Sequence, residues 1–154
     1  MVPADLRAPP RPTMKTNRSI PLCAIIPELA YADVGAAAAW LCDAFGFSER
    51  LRIGNHRIQL SYEGGAVVVI ERPAGADAAD ASTHAVLLRV EEVDSVFERA
   101  RRSGAQVVRL PTDYPFGERQ CTVRDLGGHL WTLSQTIADV HPREWGGELV
   151  DDAD

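Results

Sequence analysis

Three charged side chains stand inside segments that otherwise read as strands: Glu28 in PELAY, Glu71 at the end of AVVVIE and Arg89 in THAVLLRV. A carboxylate held among apolar neighbours is pushed toward its protonated form and can act as a general acid or base. The bland alternative is a solvated carboxylate near a strand end, which fits Glu71 better than Glu28. Metal chemistry has less to draw on. His56 and His141 lie in loop-like sequence, His129 sits at a turn, and His84 is the best-placed imidazole but has no second donor at a helpful spacing. Cys23, Cys42 and Cys121 are an odd set without metal-ligand spacing, each in an apolar-periodic segment, and read as reduced core thiols. A last group is the loop LPTDYPFGER, whose Tyr114 and Phe116 can stack on a planar ligand at a cavity mouth or pack locally against a sheet edge.

The composition narrows the partners. The chain has 154 residues, 45% of them hydrophobic and 25% charged, with a formal net charge of -6. That balance suits a soluble domain with a sizeable core and argues against nucleic acid or an anionic membrane as partner. It favours a neutral or cationic small molecule. No apolar run reaches the roughly 18 to 20 residues of a membrane span, and the N-terminus lacks a secretory apolar core, so a cytoplasmic protein is expected. Pro3, Pro9, Pro10 and Pro12 mark residues 1–20 as a disordered leader, with Met14 an alternative start to Met1.

The elements that must position these residues come in two similar sets. CAIIPELAY reads as a strand. The following helix has Asp33 as N-cap, Val34, Ala38, Leu41, Ala44 and Phe45 on one face, and Gly46 as its stop. Three short strands, SERLRIG, HRIQLSYE and AVVVIERP, follow. After a small acidic linker, 74–82, the order restarts. The strand THAVLLRV leads to a helix with Val93, Val96, Phe97 and Ala100 on one face and Gly104 as its stop, then to AQVVRL, a long loop, RQCTVRD and HLWTLSQ. The chain is therefore an internal duplication of βαβββ units, over 21–73 and 83–137, with an acidic tail over 138–154 that folds back through Trp145. The hairpins align without gaps at an offset of 63, so that Gly64 and Gly65 fall on Gly127 and Gly128 as turn glycines; the first strands and helix starts align at 59. Trp131 should face the helices, and Trp40 lies at the edge of its helix's apolar stripe.

Two such modules resemble the vicinal oxygen chelate superfamily, which holds glyoxalase I, extradiol dioxygenases, fosfomycin-inactivating enzymes and the bleomycin resistance proteins. The resemblance runs from about Ile25 to Gln135 and is closest to the glyoxalase/bleomycin-resistance branch. There a G-A helix end leads through Y-x-x-G-x-R to D-P-x-G-x-x-W. Here those places hold Gly104, Ala105, Tyr114, Gly117, Arg119, Asp125, Gly128 and Trp131, with Leu126 in place of the frequent Pro. The resemblance implies an α+β fold in which two tandem βαβββ modules form a curved sheet around a concave cavity. In metal-dependent members the first and last strand of each module each give one ligand. Those places correspond here to Ile26, Val69, Ala85 and Thr132, none a competent ligand, so no metal and no cofactor are expected. Strand alternation then assigns Ile26, Glu28, Val69, Glu71, Leu87, Arg89, Leu130 and Thr132 to the cup, with Tyr114 and Phe116 at its rim.

Three functions fit. One is a metal-free protein that sequesters a small organic molecule, cationic or aromatic, as a homodimer. Another is an enzyme of the same superfamily — a lyase, isomerase or dioxygenase — using a displaced metal or Glu28 or Glu71 as acid/base. The third is a non-catalytic dimeric regulatory module.

Overall fold

The Ala-rich run after Asp33 has every local reason to be helical, and in the computed structural model of the protein, which describes residues 15–75 and 84–149, it is one. Helix α1 spans Val34–Phe45; the Asp33 carboxylate accepts from the amide of Ala36 at 2.9 Å, and Gly46 closes the helix at φ 86°. Strand β1 (Glu28–Tyr31) precedes it, and β2 (Ser48–Ile53), β3 (Arg57–Tyr62) and β4 (Gly65–Glu71) complete the first module. The second module repeats the order as β5 (Val86–Arg89), α2 (Val93–Arg102), β6 (Gln106–Asp113), β7 (Glu118–Arg124) and β8 (Leu130–Thr136). The start of α2 lacks a side-chain cap of its own; the Gln135 amide oxygen on β8 accepts from Val93 N at 2.8 Å instead. A 3₁₀ turn, Pro142–Trp145, follows. The expected linker lies outside the described residues except for Ala74 and Gly75, and so do residues 1–14 of the expected leader.

Each module forms a four-stranded sheet, ordered β1-β4-β3-β2 and β5-β8-β7-β6, in which the first strand runs parallel to the last and the others are antiparallel. One face of each sheet meets the helices. Leu29, Tyr31, Ile58, Leu60, Val67 and Val69 from the first sheet share a single buried core with Leu88, Cys121, Val123, Trp131 and Leu133 from the second. Helices α1 and α2 pack on each other at its centre. Trp131 is fully buried, as its alternation requires, with its ring 4.9 Å from that of Phe45 and 5.8 Å from that of Phe47. Trp40, at the stripe edge, joins the modules: its indole donates to the Ser103 carbonyl at 2.6 Å.

Two expectations need correction. The loop expected between AQVVRL and RQCTVRD is a tight hairpin: β6 extends to Asp113, β7 starts at Glu118, and the Gly117 amide donates to the Tyr114 carbonyl at 3.1 Å. The gap-free hairpin alignment also fails by one residue. In the first module Tyr62 pairs with Gly65 across two turn residues, Glu63 and Gly64, both at positive φ. In the second, Asp125 donates to the His129 carbonyl across three turn residues, 126–128. Thus Ile58 pairs with Val69, while its counterpart Cys121 pairs with Leu133. The last strands are related by 64, and the residue equivalent to Thr132 is Val68. The glycine roles shift with them. Gly64 and Gly128 hold the positive φ. Gly127 is small for another reason, since a Cβ there would lie 2.5 Å from the Tyr31 ring.

That contact belongs to the tie between the modules. The buried Asp125 carboxylate accepts from the amides of Gly127 and His129 at 2.9 Å each, from the Trp131 indole at 2.9 Å and from the Tyr31 hydroxyl. Burial, and the carboxylate beside it, push the Tyr31 phenol well above its ordinary range. Removing one donor from a buried charged acceptor costs about 1–3 kcal/mol. Tyr31→Phe should lower the free energy of unfolding by that amount in a denaturant titration with an unchanged slope. Burial also pushes the Cys121 thiol up to about 11 from an ordinary 9.0. The unfolded chain then loses this proton first, so stability should be complete below pH 9.0 and fall as pH rises toward about 11. Cys121→Ala should make that decline shallower in the same titrations repeated across pH.

Candidate functional site

Alternation leaves each sheet with a second face, turned away from the helices. On the first sheet this outer face carries Glu28 and Ala30 from β1, Arg57, Gln59 and Ser61 from β3, and Ala66, Val68 and Ile70 from β4. Glu28 lies here as expected, but in a half-exposed ion pair with Arg57 at 2.8 Å. Val69 and Glu71 do not lie here. Val69 pairs with Leu29 and Glu71 with Tyr31, which puts both on the helix side, Val69 fully buried in the core and Glu71 exposed at the strand end. Their misplacement follows from the extra turn residue in the second hairpin, because a one-residue slip exchanges the two faces of a strand. Neither carboxylate is enclosed by apolar side chains.

On the second sheet the outer face carries Leu87 and Arg89 from β5, Leu130, Thr132 and Ser134 from β8, Glu118, Gln120, Thr122 and Arg124 from β7, and Arg109 from β6. Leu87, Arg89, Leu130 and Thr132 are thus brought together as expected. A polar chain runs beside them, of which Ser134 was expected by alternation and Gln120 and Glu118 were not: Gln120 donates to the Ser134 hydroxyl at 2.9 Å, which donates to the Glu118 carboxylate at 2.7 Å. The signal for it was present, since Gln120 alternates with the core residue Cys121. Arg89 donates to the Thr136 hydroxyl at 3.1 Å and Arg124 to the Gly128 carbonyl at 3.2 Å.

Tyr114 and Phe116 occupy the β6–β7 turn. Their rings stack on each other, 5.2 Å apart and 11° from parallel, and Trp145 meets Phe116 at 5.5 Å. The tail therefore folds back through its Trp, as read from the sequence. Gly117 makes room for it, because a Cβ there would collide with the Ala138 carbonyl at 2.3 Å. Arg109 donates to the Tyr114 hydroxyl at 2.8 Å, which ties the aromatic group to the outer face.

Ile26 lies half-buried just before β1, within a segment, 15–26, that crosses the first sheet's outer face. The Gln59 amide donates to the Ser19 carbonyl at 2.9 Å, Arg50 donates to the Arg18 carbonyl at 2.9 Å, and Arg50 also donates to the Gln59 side-chain oxygen at 2.6 Å. Residues 15–20, expected in the leader, follow this path.

The charge at these faces differs from that of the whole chain. Arg50, Arg89, Arg109 and Arg124 all have neutral hydrogen-bond partners here, and Glu118 bonds a hydroxyl. The net charge of the chain therefore does not describe the groups gathered at these faces. They offer donors, with apolar and aromatic surface beside them.

The four places that the resemblance assigns to metal ligands are poorly suited to a divalent ion. The structure-corrected ligand places are Ile26, Val68, Ala85 and Thr132, and zinc, iron or manganese takes imidazole, carboxylate or amide oxygen at about 2.0–2.2 Å. Three of these side chains have no donor, and Thr132 has a neutral hydroxyl. Among the described residues no group of three or more His, Cys, Asp or Glu side chains converges to hold a metal. His129, read as structural, is buried and bonds the Ala30 carbonyl at 2.8 Å; the His84 ring lies 6.0 Å from it.

Two open four-stranded sheets, each packed on one helix in a βαβββ module, define a protein of the glyoxalase fold. Residues 22–133 match the Glyoxalase/Bleomycin resistance protein/Dioxygenase superfamily, and the chain belongs to it. The solved structure of TioX from Micromonospora sp. ML1 is 37% identical with a TM-score of 0.61, covering 74% of this chain and 98% of that one. An uncharacterized protein of Mycobacterium bovis is 40% identical over 57 residues, 37% of this chain and 38% of the relative, so the match spans little more than a third of that relative's length. TnmS3 from Streptomyces sp. CB03234, described as an antibiotic binding protein, shares the fold at 23% identity with a TM-score of 0.58, covering 72% of this chain and 93% of that one. No helix among the described residues is long and apolar enough to cross a membrane.

Zinc, nickel or manganese should leave the thermal midpoint of the purified protein unchanged, and so should EDTA. A saturable rise with metal that His84→Ala abolishes would show a ligand set away from the four family places.

Proposed function

We propose that the chain is a metal-free binding protein that sequesters a small aromatic molecule between sheet outer faces. The observation that carries this reading is the set Ile26, Val68, Ala85 and Thr132, which offers one neutral hydroxyl at the places where metal-dependent members of the superfamily carry their ligands. The enzyme reading by acid/base catalysis loses its candidates. Glu28 is in an exposed ion pair, and Glu71 lies on the other side of its sheet. The description of TnmS3, a chain of the same fold, as an antibiotic binding protein accords with sequestration.

The ligand class follows from the lining. Leu87, Leu130 and the Tyr114–Phe116 pair supply apolar and stacking surface, the latter worth roughly 0.5–1.5 kcal/mol per ring contact beyond burial. The arginines supply donors, so the ligand is aromatic and bears acceptor oxygens. The cup is completed by a second copy of the chain. Two features support this: β1 and β5 are edge strands of separate sheets, and the second module exposes Leu87 at 57%, Val108 at 51% and Leu110 at 65%. Sedimentation at micromolar concentration should show a dimer.

The test is a thermal-shift series of planar aromatic carboxamides and carboxylates against matched trimethylammonium compounds. The acceptor-bearing members should stabilise the protein, and Tyr114→Ala combined with Phe116→Ala should abolish the effect. Stabilisation by the ammonium members alone, or an undiminished effect in the double variant, would overturn the assignment of the site.

A further inference from the structure

The outer faces of the two modules are built from equivalent strands but are not equally exposed. Gln59 and Val68 of the first module are 4% and 2% exposed, although both point away from the helices. Their counterparts in the second module, Thr122 and Thr132, are only half-buried. The difference lies over the first sheet, where the segment 15–26 crosses the face and Pro21 is buried. The segment is held by its backbone: the carbonyls of Arg18 and Ser19 accept from Arg50 and Gln59.

We propose that residues 15–26 are a built-in occupant of the first half of the ligand cup, and that a ligand enters by displacing them and presenting its own carbonyl-type acceptors to Arg50 and Gln59. This rests on the reading of the outer faces as the binding surface, and it adds what the first half recognises and how access is controlled. Three features make the segment displaceable. Among the described residues two side-chain-to-backbone hydrogen bonds tie it to the sheet. It encloses a cavity of about 270 Å³ lined by its own residues, Ile20, Pro21 and Ile26 among them, rather than by the sheet. It also leaves Leu22 at 79% and Ile25 at 85% exposed. Among the described residues the second half has no such cover, so the two halves of the cup differ in accessibility although they arose by duplication. Because Arg50 and Gln59 already meet carbonyl oxygens, an acceptor-bearing ligand exchanges like for like, whereas a cation faces the guanidinium unscreened.

The test uses the full chain and the aromatic sulfonate dye 8-anilino-1-naphthalenesulfonate as probe. Pro21→Asp places a charge where the segment is buried and leaves Arg50 and Gln59 in place; Pro21→Gly is a milder release should the first variant fold poorly. Amide exchange over residues 17–24 should quicken in either variant. A site occupied most of the time by the segment lowers apparent affinity by the open fraction, so release should tighten dye binding by about threefold or more. A synthetic peptide of residues 15–26 should displace the dye from the released variant, and adding Arg50→Ala should weaken binding again. Quicker exchange with unchanged dye affinity would overturn the proposal while leaving the cup as a binding surface. Dye binding by neither wild type nor any released variant would count against the cup itself.

Discussion

The Asp125 carboxylate, 6% exposed, is the point on which the two halves of the molecule are joined. It lies in the turn between β7 and β8, and three of its four donors come from its own hairpin: the amides of Gly127 and His129 and the indole of Trp131. The fourth, the Tyr31 hydroxyl, comes from the end of β1. A buried carboxylate is tolerated only when its lone pairs are filled, so the geometry of the turn, the tilt of the central indole and the placement of the first module are set together. Gly127 is the steric condition for it, since any side chain would meet the Tyr31 ring. The D-x-x-G-x-x-W pattern thus has a physical meaning here: its Asp is the acceptor for its Trp.

The duplication supplies a second junction of the same kind, and it is built differently. Val90 stands where Tyr31 does, and Tyr62 where Asp125 does. Neither can form the tie, and the strand end and the hairpin stay apart. An open cleft of about 800 Å³ results, lined by Phe45, Tyr62, Glu63, Val90, Glu91 and Arg99. The modules are held on this side from the helices instead, by Arg99 donating to the Ala44 carbonyl at 3.0 Å and by Trp40 donating to Ser103. One tight and one open junction follow from two substitutions, and they explain how a repeated sequence yields an asymmetric molecule.

The same asymmetry runs through the outer faces. The net charge of -6 is carried largely elsewhere, while the faces gather arginines, four of them with neutral partners and Arg57 paired with Glu28. Interactions within a few ångströms dominate recognition, because exposed charges beyond about 8–10 Å are screened at physiological salt. A whole-chain charge is thus a poor guide to what a face selects. In the first module Arg50 and Gln59 meet the backbone carbonyls of Arg18 and Ser19, and in the second Arg89 meets the Thr136 hydroxyl, Arg109 the Tyr114 hydroxyl and Arg124 the Gly128 carbonyl. The aromatic group at the β6–β7 turn is likewise fixed from two directions, by Arg109 and by the returning Trp145.

The sequence by itself determined the elements and their kinship. Asp33, Gly46 and the apolar stripe of α1 marked that helix because caps and periodicity are local properties, readable within a few residues. The β-branched runs and the repeated Gly pairs marked the hairpins, and the motif from Gly104 to Trp131 marked the family. What the sequence could not determine was register. Whether a turn holds two residues or three is settled by the hydrogen bonds that close it, and here Asp125 needed three. That single residue moved Val69 and Glu71 off the outer face and put Val68 on it. The cover over Gln59 was also invisible, because it depends on carbonyl groups of Arg18 and Ser19, which carry no side-chain signature. Leu130 and Thr132 share the outer face because they flank the fully buried Trp131 on β8, and Leu87 and Arg89 join them from β5 through the parallel pairing. Local propensity selects the pieces. The faces they present depend on contacts between residues 94 positions apart, as for Tyr31 and Asp125, and those exist only once the chain has folded.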